Sequence, residues 1–278
     1  PDHSGFRMCD PRGDCQSAHA LKGQPVKTAA TAIFRMAEQR YCYLLGSGRE
    51  GSRLVCADEQ QALPIGQALE FLIRDGDITQ IAEGSSLVFI AVDAAGQTAV
   101  WESAGTLAST KPVSFAQPEA GRQPYQMVAS GGKAFFWALD AENRYQLWAI
   151  GGGLSVATPQ IPYDQFYHPI QITNFQLLPF DGGIPIPYAA RLGSVQHSYL
   201  LIARGTETES TELIVEFGNF EMDSILSLET WSCELGGEAL LCHIGVRYQR
   251  LLHLAPGATS AEQDYGGYHI DQWAAVRG

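Results

Sequence analysis

A degenerate internal repeat constrains this chain more than any single motif does. Its clearest copies are Leu87-Val88-Phe89-Ile90-Ala91-Val92-Asp93 followed by Val100-Trp101-Glu102-Ser103-Ala104-Gly105-Thr106, and Ala134-Phe135-Phe136-Trp137-Ala138-Leu139-Asp140 followed by Leu147-Trp148-Ala149-Ile150-Gly151-Gly152. Each reads as an apolar strand, an Asp-bearing turn, a second strand with Trp, and a Gly turn. Weaker copies run from Ile33-Phe34 to Gly48, from Pro187-Tyr188 to Gly205 and from Leu240-Leu241 to Gly257. The interval from strand aromatic or Leu to turn Gly is roughly 14–17 residues, and turn glycines recur roughly every 47–57 residues. Short strands and turns at such a period, with almost no helical periodicity, predict radially arranged four-stranded antiparallel sheets: an all-β, five-bladed β-propeller.

The third blade can be laid out strand by strand, innermost first: Pro124 to Ala129, Lys133 to Leu139, Tyr145 to Ala149, and Thr158 to Ile161. The first copy supplies second, third and outer strands between Ala29 and Ala57, but the stretch before it alternates poorly. The C-terminal segment Tyr268 to Val276 has strand character, so it is expected to complete the first blade and remove the open edges of the ring. Residues 29–278 then form a single propeller domain, and residues 1–28 an N-terminal extension tied by a disulfide. The stretch Gln60 to Asp77 breaks the rhythm and reads as part of a long connection into the second blade.

Val100 to Thr110, with its Trp, Gly-Thr and Ser-Thr, resembles the bacterial repeat written ELWxxDGTxxGT, found in extracellular propeller-like proteins. Ala104 stands where that repeat has Asp, the Leu147-Trp148 copy has Gly151-Gly152-Gly153 in place of Asp-Gly-Thr, and the last two copies lose the Trp. The resemblance implies the fold, and adhesion or binding rather than one chemistry.

With 278 residues, 45% of them hydrophobic, the chain can bury a full core without a metal or a partner. Its 18 Lys and Arg against 30 Asp and Glu give a net charge of -12. That balance excludes nucleic acid, whose binding rests on basic groups that neutralise phosphates, and disfavours anionic membrane surfaces. No apolar run approaches the length of a membrane span. The start Pro1-Asp2-His3-Ser4 has neither a charged n-region nor an apolar h-region, and the near-paired cysteines described next suggest an oxidising compartment, so the expectation is a periplasmic or secreted protein whose signal peptide has been removed.

The six cysteines fall into three local pairs: Cys9 with Cys15, Cys42 with Cys56, and Cys233 with Cys242. Hairpins turning at Gly48 to Gly51 and at Gly237-Glu238 would put the last two pairs directly across neighbouring strands, where disulfides form. Free buried thiols and a zinc site are the alternatives, and no CxxC spacing supports zinc. All three asparagines lack a following x-Ser/Thr.

Ligands of propellers usually bind at the face formed by the loops from outer to next inner strand and from second to third strand. This analogy selects Glu38 to Arg40, Asp93 to Gln97, Ala116 to Gln123, Asp140 to Tyr145, Tyr163 to His168, Gly193 to His197, Phe217 to Asp223 and Val246 to Tyr248. Tyr163, Asp164, Phe166, Tyr167 and His168 are the richest group, joining aromatic platforms to a carboxylate and an imidazole. Phe166 and Tyr167 are equally suited to packing between blades. Phe217, Phe220, Glu221 and Asp223 would lie one blade on and complete an aromatic, acidic patch suited to a basic protein partner.

Asp164, Glu221, Asp223 and Asp93 are placed for sugar hydrolysis, but no carboxylate is expected on an inner strand facing the channel, and solvated loop acids explain these residues. No Gly-x-Ser-x-Gly, HExxH or phosphate-binding glycine loop is present, so no catalytic residue, cofactor or metal is assigned. Arg12-Gly13-Asp14, between Cys9 and Cys15, is an integrin-type tripeptide of a kind that arises often by chance. The expected function is non-enzymatic binding of a protein partner by a secreted or periplasmic propeller, as an envelope interaction module or an inhibitor or immunity protein. The alternative is a carbohydrate-active propeller, either a glycoside hydrolase or a lectin.

Overall fold

The computed structural model describes residues 6–9, 15–18, 33–37, 40–46, 51–58, 62–82, 86–114, 124–142, 145–151, 158–160, 167–168, 177–192, 195–205, 211–215, 231–236, 239–244, 250–257 and 262–264. The chain divides into two compact units, Pro1–Ala157 and Thr158–Gly278.

In the first unit, β1 (Phe6–Cys9) and β2 (Cys15–Ala18) form a hairpin with Cys9 opposite Cys15. Sheet 1 follows from β3 (Ile33–Arg35), β4 (Tyr41–Leu45), β5 (Arg53–Ala57) and β6 (Ala62–Leu63), paired antiparallel in chain order. One helical turn, α1 (Ile65–Ala68), leads through Glu70, at φ 54°, into sheet 2. Sheet 2 comprises β7 (Phe71–Gln80), β8 (Leu87–Asp93), β9 (Thr98–Ser103) and β10 (Lys111–Pro112). Sheet 3 comprises β11 (Tyr125–Ser130), β12 (Lys133–Leu139), β13 (Tyr145–Gly151) and β14 (Thr158–Pro159), the last lying just past the division between the units.

The second unit carries sheet 4, from β15 (Tyr167–His168), β16 (Ile184–Leu192), β17 (Val195–Ala203) and β18 (Thr211–Val215). Sheet 5 follows from β19 (Trp231–Gly236), β20 (Ala239–Ile244), β21 (Arg250–Leu254) and β22 (Glu262–Asp264). Before β16, Asp181 at φ 47° and Gly182 at φ 71° turn the chain between the bridged residues Phe180 and Gly183. The turn is held from sheet 4 by Arg204, whose Nε donates to the Asp181 carbonyl at 3.0 Å while its guanidinium pairs with the Asp181 carboxylate.

Every sheet described is antiparallel, and five of them have four strands in chain order. The strong copies of the repeat are β8–β9 and β12–β13. The third sheet starts and ends its strands within a residue or two of the sequence expectation. Sheet 1 departs from it by one strand. Ile33-Phe34 lies on the first strand rather than the second, Cys42 is on the second, Cys56 on the third, and Ala62-Leu63 is the outer strand. Sheet 1 therefore reaches four strands from its own stretch of chain, and the expected C-terminal strand 268–276 lies outside the described residues. The stretch Gln60 to Asp77 is likewise more than a connection, because it holds β6, α1 and the first part of β7.

Packing explains why the central strands read as unbroken apolar runs. On β8, Leu87, Phe89 and Ala91 join Cys42, Leu44, Leu54 and Cys56 of sheet 1 with Phe71 and Ile73 of β7. The intervening Val88 and Ile90 join Met127, Ala134, Phe136, Ala138, Trp148 and Ile150 of sheet 3. Successive residues of a strand point to opposite faces, so sheet 2 is buried on both sides, face to face between sheets 1 and 3. Within sheet 2, on the face that meets sheet 1, the Phe71 ring centroid lies 5.3 Å from Phe89 and 5.4 Å from Trp101, tilted to both. The far faces of the end sheets are also buried: Tyr43, Val55 and Ala57 on sheet 1, and Phe135, Trp137, Leu139, Leu147 and Ala149 on sheet 3.

The pair Cys42–Cys56 is a disulfide with both residues fully buried and their Cα atoms 4.0 Å apart. It links second and third strands at directly opposed positions.

Candidate functional site

The hairpin turns between second and third strands carry the Asp of the repeat, and its role there is structural. Asp93 Oδ1 accepts from the backbone N–H groups of Ala95 at 2.9 Å and Gln97 at 2.8 Å. The Asp93 N–H donates to the Gln97 carbonyl at 2.9 Å, and Gly96, at φ 78°, lets the chain reverse. Asp140 Oδ1 does the same for Glu142 N–H at 3.0 Å. Asp93 is exposed and committed to its turn, whereas a general acid for sugar hydrolysis needs a desolvated carboxyl.

At the other end of the sheets lies the segment that carries the family resemblance, and its hydroxyl residues are bonded to one another. Ser103 Oγ and Thr110 Oγ1 are 2.7 Å apart, and Gly105 N–H donates to Ser103 Oγ at 3.1 Å. Ser109 Oγ accepts from the N–H groups of Ala104 at 3.1 Å and Thr106 at 3.2 Å, and Thr110 Oγ1 donates to the Thr106 carbonyl at 2.6 Å. The Ser/Thr-rich spacing of the repeat is thus the spacing that closes this turn without a partner strand. Gly105, at φ 85°, is in the left-handed region that favours glycine, and a Cβ there would crowd Arg40 Cδ at 3.0 Å and Cys42 Sγ at 3.4 Å.

Arg40 therefore packs at this end of the sheets, between the first and second strands of sheet 1, with its guanidinium 3.7 Å from the Asp58 carboxylate. The sequence expectation put Glu38 to Arg40 on the opposite, ligand-binding face. The one-strand shift of the first copy moves this loop to the other end. Gln80 Nε2 ties the same end together by donating to the Arg35 carbonyl at 2.7 Å.

Of the aromatic and acidic residues proposed for binding, Tyr167 and His168 form β15, the first strand of sheet 4, at register positions opposite Ala190 and Ala189. They are strand residues and not part of an open loop. Tyr163, Asp164, Phe166, Phe217, Phe220, Glu221 and Asp223 lie outside the described residues. The segment that holds the last four is strongly one-signed, with nine Asp or Glu and no Lys or Arg between Arg204 and Arg247.

The carboxylates missed in the sequence are on β7. This first strand of sheet 2 carries Arg74-Asp75-Gly76-Asp77 where its register slips: Ile73 pairs with Ala91 and Ile78 with Phe89, so four residues stand opposite Ile90 alone. Asp77 is 8% exposed. In sheet 3 the register slips at the same height, with Tyr125 opposite Trp137, Met127 opposite Phe136, and Gln126 left over at φ 54°. Phe89 and Phe136 each precede their turn Asp by four residues, so the two bulges are equivalent, and β7 lies beside β11. Gly76 between two acids looks like a loop in the sequence, and the extra residues break the alternation that marks a strand. The signal in the sequence is the Phe71-Leu72-Ile73 and Ile78-Thr79 flanks, each a half-strand with the apolar character of other strands in the chain.

Among the described residues no group of three or more His, Cys, Asp or Glu is placed to hold a metal ion, and no helix is long and apolar enough to cross a membrane.

No family model and no curated protein matches the chain. Among solved structures it is similar to TolB from Acinetobacter baumannii, with TM-score 0.38 and 11% identity over 91% of this chain and 57% of that one. It is also similar to a prolyl endopeptidase, with TM-score 0.44 and 9% identity over 84% of this chain and 34% of that one. A third, the AtxE2 isopeptidase, gives TM-score 0.30 and 11% identity over 86% of this chain and 40% of that one. The chain spans between a third and somewhat over half of the length of these structures. All three TM-scores are too low for the likeness to carry an argument.

Proposed function

We propose that the chain is a five-bladed β-propeller, a single domain over residues 29–278 closed where the strand 268–276 meets the first sheet, and that it acts outside the cytoplasm as a non-enzymatic binding module for a basic protein. The observation that carries the architecture is the burial of both far faces of the three stacked sheets. A stack with free ends would leave Tyr43 and Val55 at one end, and Phe135 and Trp137 at the other, facing water at about 1.5–3 kcal/mol per large side chain. Two further four-stranded sheets in the same chain bring the number to the five that such a ring requires.

The chemistry of the partner follows from charge. A stretch of nine acids without one Lys or Arg, holding Phe217, Phe220, Glu221 and Asp223, offers a basic surface a complementary field and aromatic anchors, with Tyr163, Asp164 and Phe166 one sheet earlier in the chain. The turn-bound Asp93 and Asp140 support a structural use of the repeat's acids. An envelope interaction module and an inhibitor or immunity protein for a basic enzyme or toxin are the two forms this takes.

Capture from the native envelope, repeated with Asp164→Ala, Phe166→Ala and the pair Glu221→Gln with Asp223→Asn, tests this reading. The expected result is one basic protein whose retention falls steeply with salt and is lost in the variants. Retention of that protein by every variant at all salt concentrations would overturn it.

Asp75 and Asp77 on the inner strand favour one second reading, glycoside hydrolysis. It predicts release of aryl aglycone from a panel of aryl glycosides that Asp77→Asn abolishes. No turnover by the wild-type protein removes it.

A further inference from the structure

We infer that Cys9–Cys15 and Cys233–Cys242 are disulfides like Cys42–Cys56, so that each compact unit carries its own cross-strand cystine and none of the six thiols is free in the mature protein.

The argument is one of register. Cys42 and Cys56 are directly opposed on β4 and β5, and their Cα separation of 4.0 Å belongs to a non-hydrogen-bonded pair, the class in which opposed side chains come closest. Cys233 and Cys242 are directly opposed on β19 and β20, with the strands paired up to Gly236 opposite Ala239. Only two residues connect that last pair, and a two-residue hairpin closes on a hydrogen-bonded pair. Pair types alternate along the ladder. Leu235 with Leu240 is then non-hydrogen-bonded, Glu234 with Leu241 hydrogen-bonded, and Cys233 with Cys242 falls on the same close class as Cys42 with Cys56. Cys9 opposite Cys15 is the last pair of the β1–β2 ladder, where a cystine would close the connecting segment. No free cysteine occurs among the described residues.

Each bond joins two Sγ atoms as two thiol protons and two electrons pass to a disulfide oxidant, a thiol–disulfide oxidoreductase or oxidised glutathione, which is reduced to its thiols. The inference depends on local pairing alone and not on the identity of any partner.

The test is a thiol count on the full chain exported to a bacterial periplasm and trapped with an alkylating reagent in denaturant. The expected result is no labelled cysteine before reduction and six after it, with non-reduced peptide mapping recovering the three local pairs. Cys242→Ser should then expose one labelled thiol, at Cys233, and raise the unfolded fraction in urea about tenfold or more. Four labelled thiols with only Cys42–Cys56 bonded, or peptides joining cysteines of different hairpins, would overturn it. A titration of the refolded chain in glutathione buffers gives the same decision without export: three local cystines support the inference, and one alone defeats it.

Discussion

Tyr43 is buried on the far face of sheet 1, and that burial holds its phenol above the usual pKa of 10.0. Desolvation penalises the phenolate, so the neutral ring stabilises the fold below the unfolded-state value, and that contribution is lost as pH rises through the raised folded-state value. Urea midpoints measured from about pH 8 to about pH 11 should fall more in the wild-type protein than in Tyr43→Phe, which has no proton to lose. Equal pH dependence in the two proteins would contradict burial of this ring. Asp93 makes a second residue-scale case. Its Oδ1 serves two backbone donors, so Asp93→Ala should cost about 1–2 kcal/mol of stability, with Asp93→Asn closer to wild type because an amide oxygen still accepts. Thermal melts of the three proteins check this order, and an Asp93→Ala variant as stable as wild type would return the carboxylate to the list of residues free for other work.

The elements show where the sequence was legible. Sheet 3 is legible strand for strand because Ala134 to Leu139 and Leu147 to Ile150 are apolar on both faces and bounded by an Asp turn and glycines, so length and punctuation locate them without alternation. The first copy suggests a register one strand out of place. Ile33-Phe34 has the look of a core strand, yet Ile33 is 55% exposed at the edge of its sheet, and the turn after Cys56 has Ala57-Asp58 where other copies have Gly. Burial decided the register, and burial is not written in a three-residue run. β7 was hidden by its bulge. The binding patch was legible only as composition, since aromatic and acidic residues can be counted in a sequence but their convergence cannot. Element geometry also reverses a propensity argument at Gly66. Alanine is the better helix former by about 1 kcal/mol, but in α1 a Cβ would lie 2.9 Å from Leu54 N and 3.2 Å from Phe71 O, both backbone atoms of packed strands. Gly66→Ala should therefore destabilise by about 1–3 kcal/mol in urea titration, and a stabilised variant would show that α1 is not pinned between β5 and β7.

The whole molecule turns on whether the stacked sheets close. An open stack tolerates loss of a terminal segment far away in sequence, because only the neighbours of that segment feel it. A closed ring does not, because every blade face is covered by the next and the last covers the first. Deleting 268–278 discriminates between the two. In the proposed ring this removes the strand that closes onto sheet 1 beyond its own four, and loosens the seam at which the far face carrying Tyr43, Val55 and Ala57 is covered. Loss of several kcal/mol should lower the melting temperature by about 10 °C or more. The telling readout is local. Amide exchange in β4 and β5 should accelerate, and the phenol of Tyr43 should titrate nearer its ordinary range, although both lie in the first quarter of the sequence. If exchange in β4 and β5 is unchanged while only sheet 5 loosens, the sheets form an open stack. The acidic segment would then have to bind its partner without the rigid ring that aligns neighbouring loops on one face.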